Sequence, residues 1–362
     1  MQQAASQGER LCIHAAPEDG PSADVVPPPE TWARRPKLVS VVVPVFREEE
    51  NVVRFGEAVL RAFHALRIRC ELLFVEDDSP DATLAKIREL HRDHPGEVRA
   101  LSLSRRFGHQ PSLAAGFRAA RGDVVACMDG DLQHPPALLA LMLYQWSQGS
   151  QVVTTRRRSQ AGRPPLKSLA SRLFYRAINK LSEVPIEEGA ADFRLMDRVV
   201  VDALNRFGER WPFYRGLVRW AGFRHSTVDY EAPARLAGRS SYTWTRMIRL
   251  GLDAVFSFSL APLRISHYLG GVSLLTAAGY ALWTCFCWLR GGAVPGYTSQ
   301  VFLVTFLGGL NLVCLGVVGE YVGRIHEQVK QRPLYLIKEV IGWPAASDAA
   351  TVWAPMEGAS PS

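Results

Sequence analysis

The stretch that decides the fold reads VVACMDGDLQ and spans residues 124–133. Its apolar first half is typical of a buried strand in a parallel sheet that is covered on both faces. Asp129 and Asp131 follow at the C-terminal end of this strand, where open α/β sheets bind their ligands. A solvated Asp-Gly-Asp turn and a site for a divalent cation both fit so short a motif. The stretch therefore predicts an α/β fold and leaves both interpretations of the carboxylates open.

Three further apolar runs with strand character precede this stretch, at residues 38–43, 72–75 and 98–103. Helical periodicity follows each of them, and this alternation over residues 38–150 predicts a mostly parallel sheet with right-handed crossovers. Acidic or polar segments also come directly after these strands. Because the C-terminal ends of parallel strands lie at one edge of a sheet, the carboxylates are expected to converge. This convergence favours the cation site over the solvated turn.

Composition and missing motifs restrict the class of protein. The chain has 362 residues, 48% of them hydrophobic, which is enough for one large or two ordinary domains. Its net charge of +7 suits nucleic acid or an anionic membrane. The six cysteines show no paired metal-ligand spacing, and the apolar patch near the N-terminus is too short for a signal peptide. The dinucleotide, Walker A and nucleophile-elbow motifs are missing, which disfavours a dehydrogenase, a P-loop enzyme and a serine hydrolase.

Two long segments predict a transmembrane hairpin. Residues 265–289 and 291–319 contain no Asp, Glu, Lys or Arg, and each exceeds the roughly 20 residues that cross a bilayer. A buried core helix is the alternative, but two such segments around a Gly/Pro-containing turn favour the hairpin. The basic residues flank it: Arg246, Arg249 and Arg264 come before it, and Arg324, Lys330, Arg332 and Lys338 come after it.

These flanks predict the orientation and exclude one partner. The positive-inside rule places both flanks in the cytoplasm. The predicted topology is a multi-pass membrane protein with the α/β domain and both termini cytoplasmic. Because the basic residues border the spans and do not alternate with stacking aromatics, no nucleic-acid partner is predicted. Gly308 and Gly309 permit close helix contacts, which allows a homo-oligomer in the lipid bilayer.

Changes in composition predict five parts of the chain. Residues 1–36 form a disordered N-terminal tail rich in Pro, Ala and Ser. The others are an α/β domain at 37–242, a juxtamembrane interface region at 243–264, two transmembrane helices at 265–322 (about 265–289 and 298–320) and a cytoplasmic tail at 323–362. Within the α/β domain, residues 166–181 predict a basic amphipathic helix that lies on a membrane or packs on the core.

Three motifs, in this order, resemble those of the inverting GT-A family 2 glycosyltransferases. They read VVVPVFREEEN at 41–51, FVEDDSPDAT at 74–83 and DGDLQHPP at 129–136. Three later runs, GAADFRLMD at 189–197, FYRGL at 213–217 and GEYVGRI at 319–325, resemble the polyprenyl-phosphate subgroup, which includes dolichyl-phosphate mannose synthase. The resemblance covers about residues 38–340. It implies a GT-A domain, Rossmann-like with a mostly parallel sheet, followed by interface helices and a two-helix transmembrane hairpin.

The resemblance implies a donor site with a metal ion. The residues that would bind the nucleotide-sugar are Pro44, Glu48, Asp77 and Asp129, and those that would hold Mg²⁺ or Mn²⁺ with the diphosphate are Asp129, Asp131 and Gln133. This sequence departs from the family pattern at two positions. Asp78 stands where Gly or Asn is common, and Gly130 replaces the frequent Ala. Neither change removes a ligand.

The resemblance also implies an acceptor site for a lipid phosphate. The candidates to bind it are Arg156, Arg172, Arg194 and Arg215, since guanidinium groups match phosphate oxygens in pairs. Asp192 is a candidate catalytic residue beside them. A phosphate monoester has a second pKa of about 6, so the nucleophile is largely ionised without a base. Asp129 and Asp131 are therefore the stronger catalytic candidates.

Together these features imply a membrane-anchored, metal-dependent glycosyltransferase. It would move a sugar from a nucleotide-sugar, with UDP predicted, to undecaprenyl or another polyprenyl phosphate on the cytoplasmic face. The product would be a lipid-linked sugar donor for cell-envelope glycan or lipid A modification. One alternative is a processive polysaccharide synthase, although Phe207 stands where its Q-x-x-R-W motif needs Gln. Another is a non-catalytic polyprenyl-phosphate-binding membrane protein, against which the carboxylates count. The sequence does not determine which sugar is moved.

Overall fold

The computed structural model describes residues 26–157, 190–210, 212–230, 259–290 and 296–343. The chain divides into two compact units, one built mainly from residues 1–176, 184–241 and 332–362 and the other from 177–183 and 242–331. The predicted amphipathic helix at 166–181 and Arg172 lie outside the described residues. Most of the predicted interface region at 243–264 does as well.

The first unit contains an eight-stranded sheet in the order β7-β5-β6-β4-β1-β2-β3-β8. Its strands are β1 (Val39–Val45), β2 (Cys70–Glu76), β3 (Val98–Leu103), β4 (Val124–Cys127), β5 (Val152–Arg157), β6 (Ala190–Asp197), β7 (His225–Tyr230) and β8 (Ile337–Ile341). Strands β4, β1, β2 and β3 pair in parallel, as do β5 and β7. Strand β6 runs antiparallel to β4 and β5, and β8 runs antiparallel to β3. This arrangement confirms the predicted mostly parallel α/β sheet of the GT-A type.

Helices cover both faces of this sheet. They are α1 (Val52–Leu66), α2 (Thr83–Asp93), α3 (His109–Ala119), α4 (Leu138–Ser147), α5 (Arg198–Asn205) and α6 (Tyr214–Trp220). Successive residues of a strand point to opposite faces, and the consecutive residues Val41, Val42 and Val43 of β1 are all fully buried. Such two-sided burial explains why the central strands read as continuous apolar runs.

The prediction of a disordered tail at 1–36 is wrong for residues 26–36, which are ordered. Residues Pro29–Thr31 form a 3₁₀ turn, and Trp32 is buried and donates its indole N–H to the Pro27 carbonyl at 2.7 Å. Arg34 donates to the Asp197 carboxylate at 3.0 Å and to the Trp146 carbonyl. Two side chains thus fix a segment whose average composition predicts disorder. Residues 1–25 lie outside the described part.

The predicted C-terminal tail at 323–362 also contains ordered structure. Strand β8 pairs with β3, with Glu339 opposite Ser102, and Ile337 and Ile341 are buried. The Arg88 guanidinium donates to the Glu339 carboxylate at 2.6 Å. A run of only five residues, with Lys338 and Glu339 in it and no regular alternation, gives a weak strand signal, and this explains why the sequence does not predict the strand.

The second unit contains two long apolar helices, α7 (Ala261–Leu289) and α8 (Tyr297–Val329). By length and composition both are able to cross a membrane, with mean hydropathies of 1.4 and 2.1 over their spans. They contact each other, and the Tyr321 hydroxyl donates to the Ser259 carbonyl just before α7 at 2.6 Å. Apolar side chains such as Leu275 and Phe302 are at least 70% exposed. This helix pair agrees with the predicted hairpin and indicates membrane association.

Candidate active site

The ends of the parallel strands place acidic side chains around one cavity. Strands β1, β2 and β4 end at Val45, Glu76 and Cys127, so the polar residues that follow them meet at the same edge of the sheet. The cavity has a volume of about 250 Å³. Its lining consists of Pro44, Val45, Phe46, Glu48, Asp77, Arg106, Gly108, His109, Ser112, Asp129, Gly130 and Asp131. The structure thus brings together every predicted donor residue except Gln133.

Asp77 joins this cavity to the turn between β3 and α3. Its carboxylate accepts the backbone N–H of Phe107 at 2.6 Å and that of Gly108 at 2.8 Å. Burial raises the pKa of Asp77, and the two amides offset only part of the rise. The next residue, Asp78, has φ of 53°. This left-handed backbone explains why Gly or Asn is common there, and Asp is one of the few other residues that adopt it readily.

Asp129 lies between two histidines. The His109 Nε2 atom is 3.2 Å from Asp129 Oδ1, and the His134 Nε2 atom is 3.6 Å from Asp129 Oδ2. Burial alone would raise the pKa of Asp129, but both imidazoles outweigh burial and lower it. In turn, burial lowers the pKa of His109, while Asp129 and Asp192 shift it upward on balance. The Tyr230 hydroxyl holds His134 Nδ1 at 2.8 Å.

The sequence analysis missed both histidines as functional residues. His134 lies within the quoted run at 129–136, and His109 follows the end of β3 in the segment SRRFGH at 104–109. Both therefore occupied the strand-end positions that the fold makes functional. A single histidine in a sequence does not by itself indicate a function. The residue that both histidines contact, Asp129, lies 20 residues after His109 and five residues before His134.

Asp131 and Glu48 carry negative charge that the protein leaves partly uncompensated. Burial raises the pKa of both carboxyls, and the charge of Asp129 raises both further. Gln133 lies outside the cavity lining and donates its backbone N–H to Asp131 Oδ1 at 3.1 Å. Oxygen donors with surplus negative charge fit Mg²⁺ or Mn²⁺. Within the described residues no group of three or more His, Cys, Asp or Glu has metal-binding geometry.

Asp192 reaches the same edge because β6 is antiparallel to β4. With Cys127 opposite Arg194, the first residues of β6 lie where β4 ends. The buried Asp192 carboxylate accepts from Arg194 at 2.6 Å and from Arg215 at 2.9 and 2.5 Å. Burial opposes its ionisation, but the two guanidinium groups prevail and lower the pKa to about 2. The structure thus brings Asp192, Arg194 and Arg215 into one cluster.

Arg156 belongs to a different ion pair. Its guanidinium donates to both carboxylate oxygens of Asp229 on β7, at 2.8 and 2.9 Å. The side chain of Arg156 is 38% exposed, whereas that of Arg194 is only 3% exposed. The predicted phosphate-binding arginines therefore differ in access: Arg156 and Arg215 reach the surface, and Arg194 does not.

These features define a membrane-associated α/β protein with a cavity lined by carboxylates, and comparison with known proteins specifies its family. Residues 40–204 match the family described as Glycosyl transferase family 2, and residues 261–325 match the GtrB C-terminal hairpin. An uncharacterized glycosyltransferase of Synechocystis sp. is 36% identical over 305 residues, which cover 84% of this chain and 96% of that protein. The chain belongs to glycosyl transferase family 2, which confirms the resemblance and makes it a glycosyltransferase.

Two other similarities concern proteins with more specific names. The prophage bactoprenol glucosyl transferase homolog of Escherichia coli (strain K12) is 38% identical over 304 residues, which cover 83% of this chain and 99% of that protein. A mannosyltransferase of Pyrobaculum calidifontis, solved in complex with GDP-Man and Mn²⁺, is 18% identical with a TM-score of 0.45. That alignment covers 82% of this chain and 89% of the other.

Proposed function

We propose that this glycosyltransferase moves a sugar from a UDP-sugar to a polyprenyl phosphate, with inversion at the anomeric carbon. One observation carries the proposal. The carboxylate-lined cavity and the Asp192–Arg215 pair lie at the same edge of the sheet, in a chain that also has two bilayer-length helices. The relatives named bactoprenol glucosyl transferase support a polyprenyl acceptor and make glucose the first sugar to test.

The cavity is the proposed donor site. Pro44, Glu48 and Asp77 would bind the nucleoside, and Asp129 and Asp131, with Gln133 near them, would hold Mg²⁺ or Mn²⁺ with the diphosphate. A divalent ion would supply charge neutralisation for the departing diphosphate. The raised pKa of Asp131 and Glu48 supports this assignment, because their charge is compensated less fully in the protein than that of Asp129.

The accessible arginines are the proposed contacts for the acceptor phosphate. Arg215 is 27% and Arg156 38% exposed in its side chain, so each guanidinium has surface from which to reach phosphate oxygens. Arg194 is buried against Asp192, and its proposed part is to hold that carboxylate. Arg172 stays a candidate from the sequence.

The nucleophile needs no general base in this scheme. The second pKa of a phosphate monoester is about 6, so the acceptor is largely ionised near neutral pH. Asp192 has a pKa of about 2 and is a poor proton acceptor in the same range. Its proposed role is to position Arg215. The reaction would depend instead on neutralising the charge of the departing diphosphate.

The two apolar helices would retain the enzyme where its acceptor is confined. A polyprenyl tail stays in the bilayer, so an anchored enzyme meets it at a much higher effective concentration. The basic flanks of the hairpin support a cytoplasmic catalytic domain in the bacterial inner membrane. The product would serve cell-envelope glycan assembly or lipid A modification.

The proposal is tested with purified full-length protein, undecaprenyl phosphate and a panel of UDP-, GDP- and dTDP-sugars, with and without Mn²⁺. We expect a lipid-linked monosaccharide from a UDP-sugar and only with the divalent ion. A polymeric product would favour a processive synthase. Metal-dependent binding of UDP without turnover on any acceptor would favour a non-catalytic carrier, and a product with GDP-sugars alone would overturn the assignment of UDP.

A further inference from the structure

Gln110 lies between the acceptor-side arginine cluster and the donor-side carboxylate. The backbone N–H of Tyr214 donates to Gln110 Oε1 at 3.2 Å, and Gln110 Nε2 is 3.3 Å from His109 Nδ1. His109 Nε2 in turn is 3.2 Å from Asp129 Oδ1. Three hydrogen bonds therefore run without interruption from the start of α6 to a carboxylate of the cavity.

The direction of these bonds follows from the chemistry of the groups. A backbone N–H only donates, so the oxygen of the Gln110 amide has to face Tyr214. The amide nitrogen then faces His109 and, when the ring is neutral, donates to Nδ1, which carries no proton. The proton of the ring is therefore on Nε2, where His109 donates it to Asp129.

The first turn of α6 also contacts Asp192. Arg215, directly after Tyr214, donates twice to the Asp192 carboxylate. One end of this series of hydrogen bonds is therefore on α6, which carries the proposed phosphate ligand Arg215. The other end is the proposed metal ligand Asp129. Gln110 is the side chain that joins the two.

We propose that Gln110 is a positioning residue: its amide sets the tautomer and orientation of His109, which holds Asp129 ready for a divalent cation. The inference rests on the proposed function, because it assigns Gln110 to the metal-nucleotide side of that same site. Groups that hydrogen-bond directly to a metal ligand, as His109 does to Asp129, affect metal affinity by about 10- to 100-fold, and Gln110 acts one contact further out, so its effect is expected at the lower end of this range. Neither the sequence motifs nor the family matches single out Gln110.

Binding of Mn²⁺ in the presence of UDP, measured by calorimetry on the full-length protein, tests the proposal without turnover. Gln110→Met keeps the length of the side chain but removes both hydrogen bonds. We expect it to weaken Mn²⁺ binding by about tenfold. Gln148→Met alters an exposed glutamine after α4 and serves as the matched control with unchanged affinity. Mn²⁺ affinity of Gln110→Met within about twofold of wild type would overturn the proposal.

A double-mutant cycle separates positioning from a general structural effect. If Gln110 acts through His109, Gln110→Met should weaken Mn²⁺ binding by less than about twofold in a His109→Phe background. Losses that add in the double variant contradict the proposed route. A purely structural role would lower the melting temperature of the single variant without this dependence on His109.

The tautomer is measured on the wild-type protein, so the proposal stays testable even if Gln110→Met does not fold. Spectra of ¹⁵N-histidine-labelled protein at about pH 8, assigned by comparison with His109→Phe, should show a protonated Nε2 and an unprotonated Nδ1. A ring protonated on Nδ1 instead would overturn the assignment. These readouts use no lipid acceptor, so failure of sugar transfer counts against the proposed function alone.

Discussion

Arg215 donates two hydrogen bonds to the Asp192 carboxylate, at 2.9 and 2.5 Å, and so forms an ion pair near the start of β6. The carboxylate is also held by Arg194, which is 3% exposed. Two cations around one buried anion stabilise its ionised form over the whole neutral range. Asp192 is consequently ionised at neutral pH, and two predictions follow from its state.

Asp192→Asn should destabilise the catalytic unit. The substitution leaves the buried Arg194 without its counter-charge, and removing one partner of a buried pair costs about 3–5 kcal/mol. Thermal unfolding of purified protein in detergent is the measurement. Arg61→Gln, which breaks an exposed pair with Glu57 on α1, should change the melting temperature very little and is the control. Equal melting temperatures for wild type and Asp192→Asn would contradict the prediction.

The pH dependence of transfer should not report Asp192. A pKa lowered to about 2 means that its stabilising effect is complete above the unfolded pKa of about 3.9 and disappears as the pH falls from there toward 2. Between about pH 5 and 8 the rate should instead follow the second ionisation of the lipid phosphate, near pH 6. The pH–rate profile is measured for wild type and Arg194→Lys, because Arg194 contacts Asp192 but is buried away from the accessible arginines. An acidic limb that moves with Arg194→Lys would show that Asp192 titrates in the reaction.

Asp131→Asn should separate activity from stability. Burial and the Asp129 charge raise the pKa of Asp131, so its ionised form destabilises the apo fold, increasingly as the pH rises through that pKa. Removing the charge should keep or raise the melting temperature without metal. Transfer should fall on the order of 100-fold, because charge compensation by a metal contributes several kcal/mol. Radiolabelled sugar transfer and metal-free unfolding are measured on the same preparation, and normal transfer would refute the site assignment.

Asp77→Asn should impair both properties at once. The carboxylate accepts from Phe107 and Gly108, and hydrogen bonds to a charged group contribute about 1.5–3 kcal/mol each. Asparagine has only one acceptor oxygen, and its amide nitrogen would face the second N–H. We expect lower UDP affinity together with a lower melting temperature, measured by calorimetry and thermal unfolding. A variant that loses UDP binding with unchanged stability would assign Asp77 to the ligand alone.

Strand β8 should be required for a stable sheet. A chain that ends at Arg332 lacks β8 and exposes the edge of β3, along with apolar surface that Ile337 and Ile341 cover. It should aggregate or show a lower melting temperature than a chain that ends at Trp343, which keeps the strand. Size-exclusion chromatography and thermal unfolding compare the pair. Identical behaviour of the two would mean that β8 adds nothing to the stability of the sheet.

The sequence predicted the parts of the fold that repeat one pattern. Strands β1 to β4 are largely apolar because both faces of the sheet are covered, and each is followed by a helical period, so their parallel pairing was predictable. Strand β8 and the segment around Trp32 depend on pairing with residues far away along the chain. No local pattern in the sequence records such contacts, and both were assigned to tails.

The candidate site divides in the same way. Asp77, Asp129 and Asp131 were predictable because they follow strands whose ends meet at one edge. The contacts of His109, and the pairing of Arg156 with Asp229, follow from the packing of elements that are distant in sequence. No local pattern separates Arg194 from Arg215, since burial distinguishes the two and depends on the complete tertiary structure.

The position of β8 in the chain has a consequence for synthesis. The partner strand of β3 is encoded after both apolar helices, so the ribosome completes α7 and α8 before the sheet receives its last strand. Domains fold during translation as soon as their parts are available. The outer edge of β3 therefore stays unpaired in the nascent chain until both apolar helices and β8 have been synthesised. Completion of the sheet by β8 therefore follows synthesis of both apolar helices, as a consequence of the order of elements along the chain.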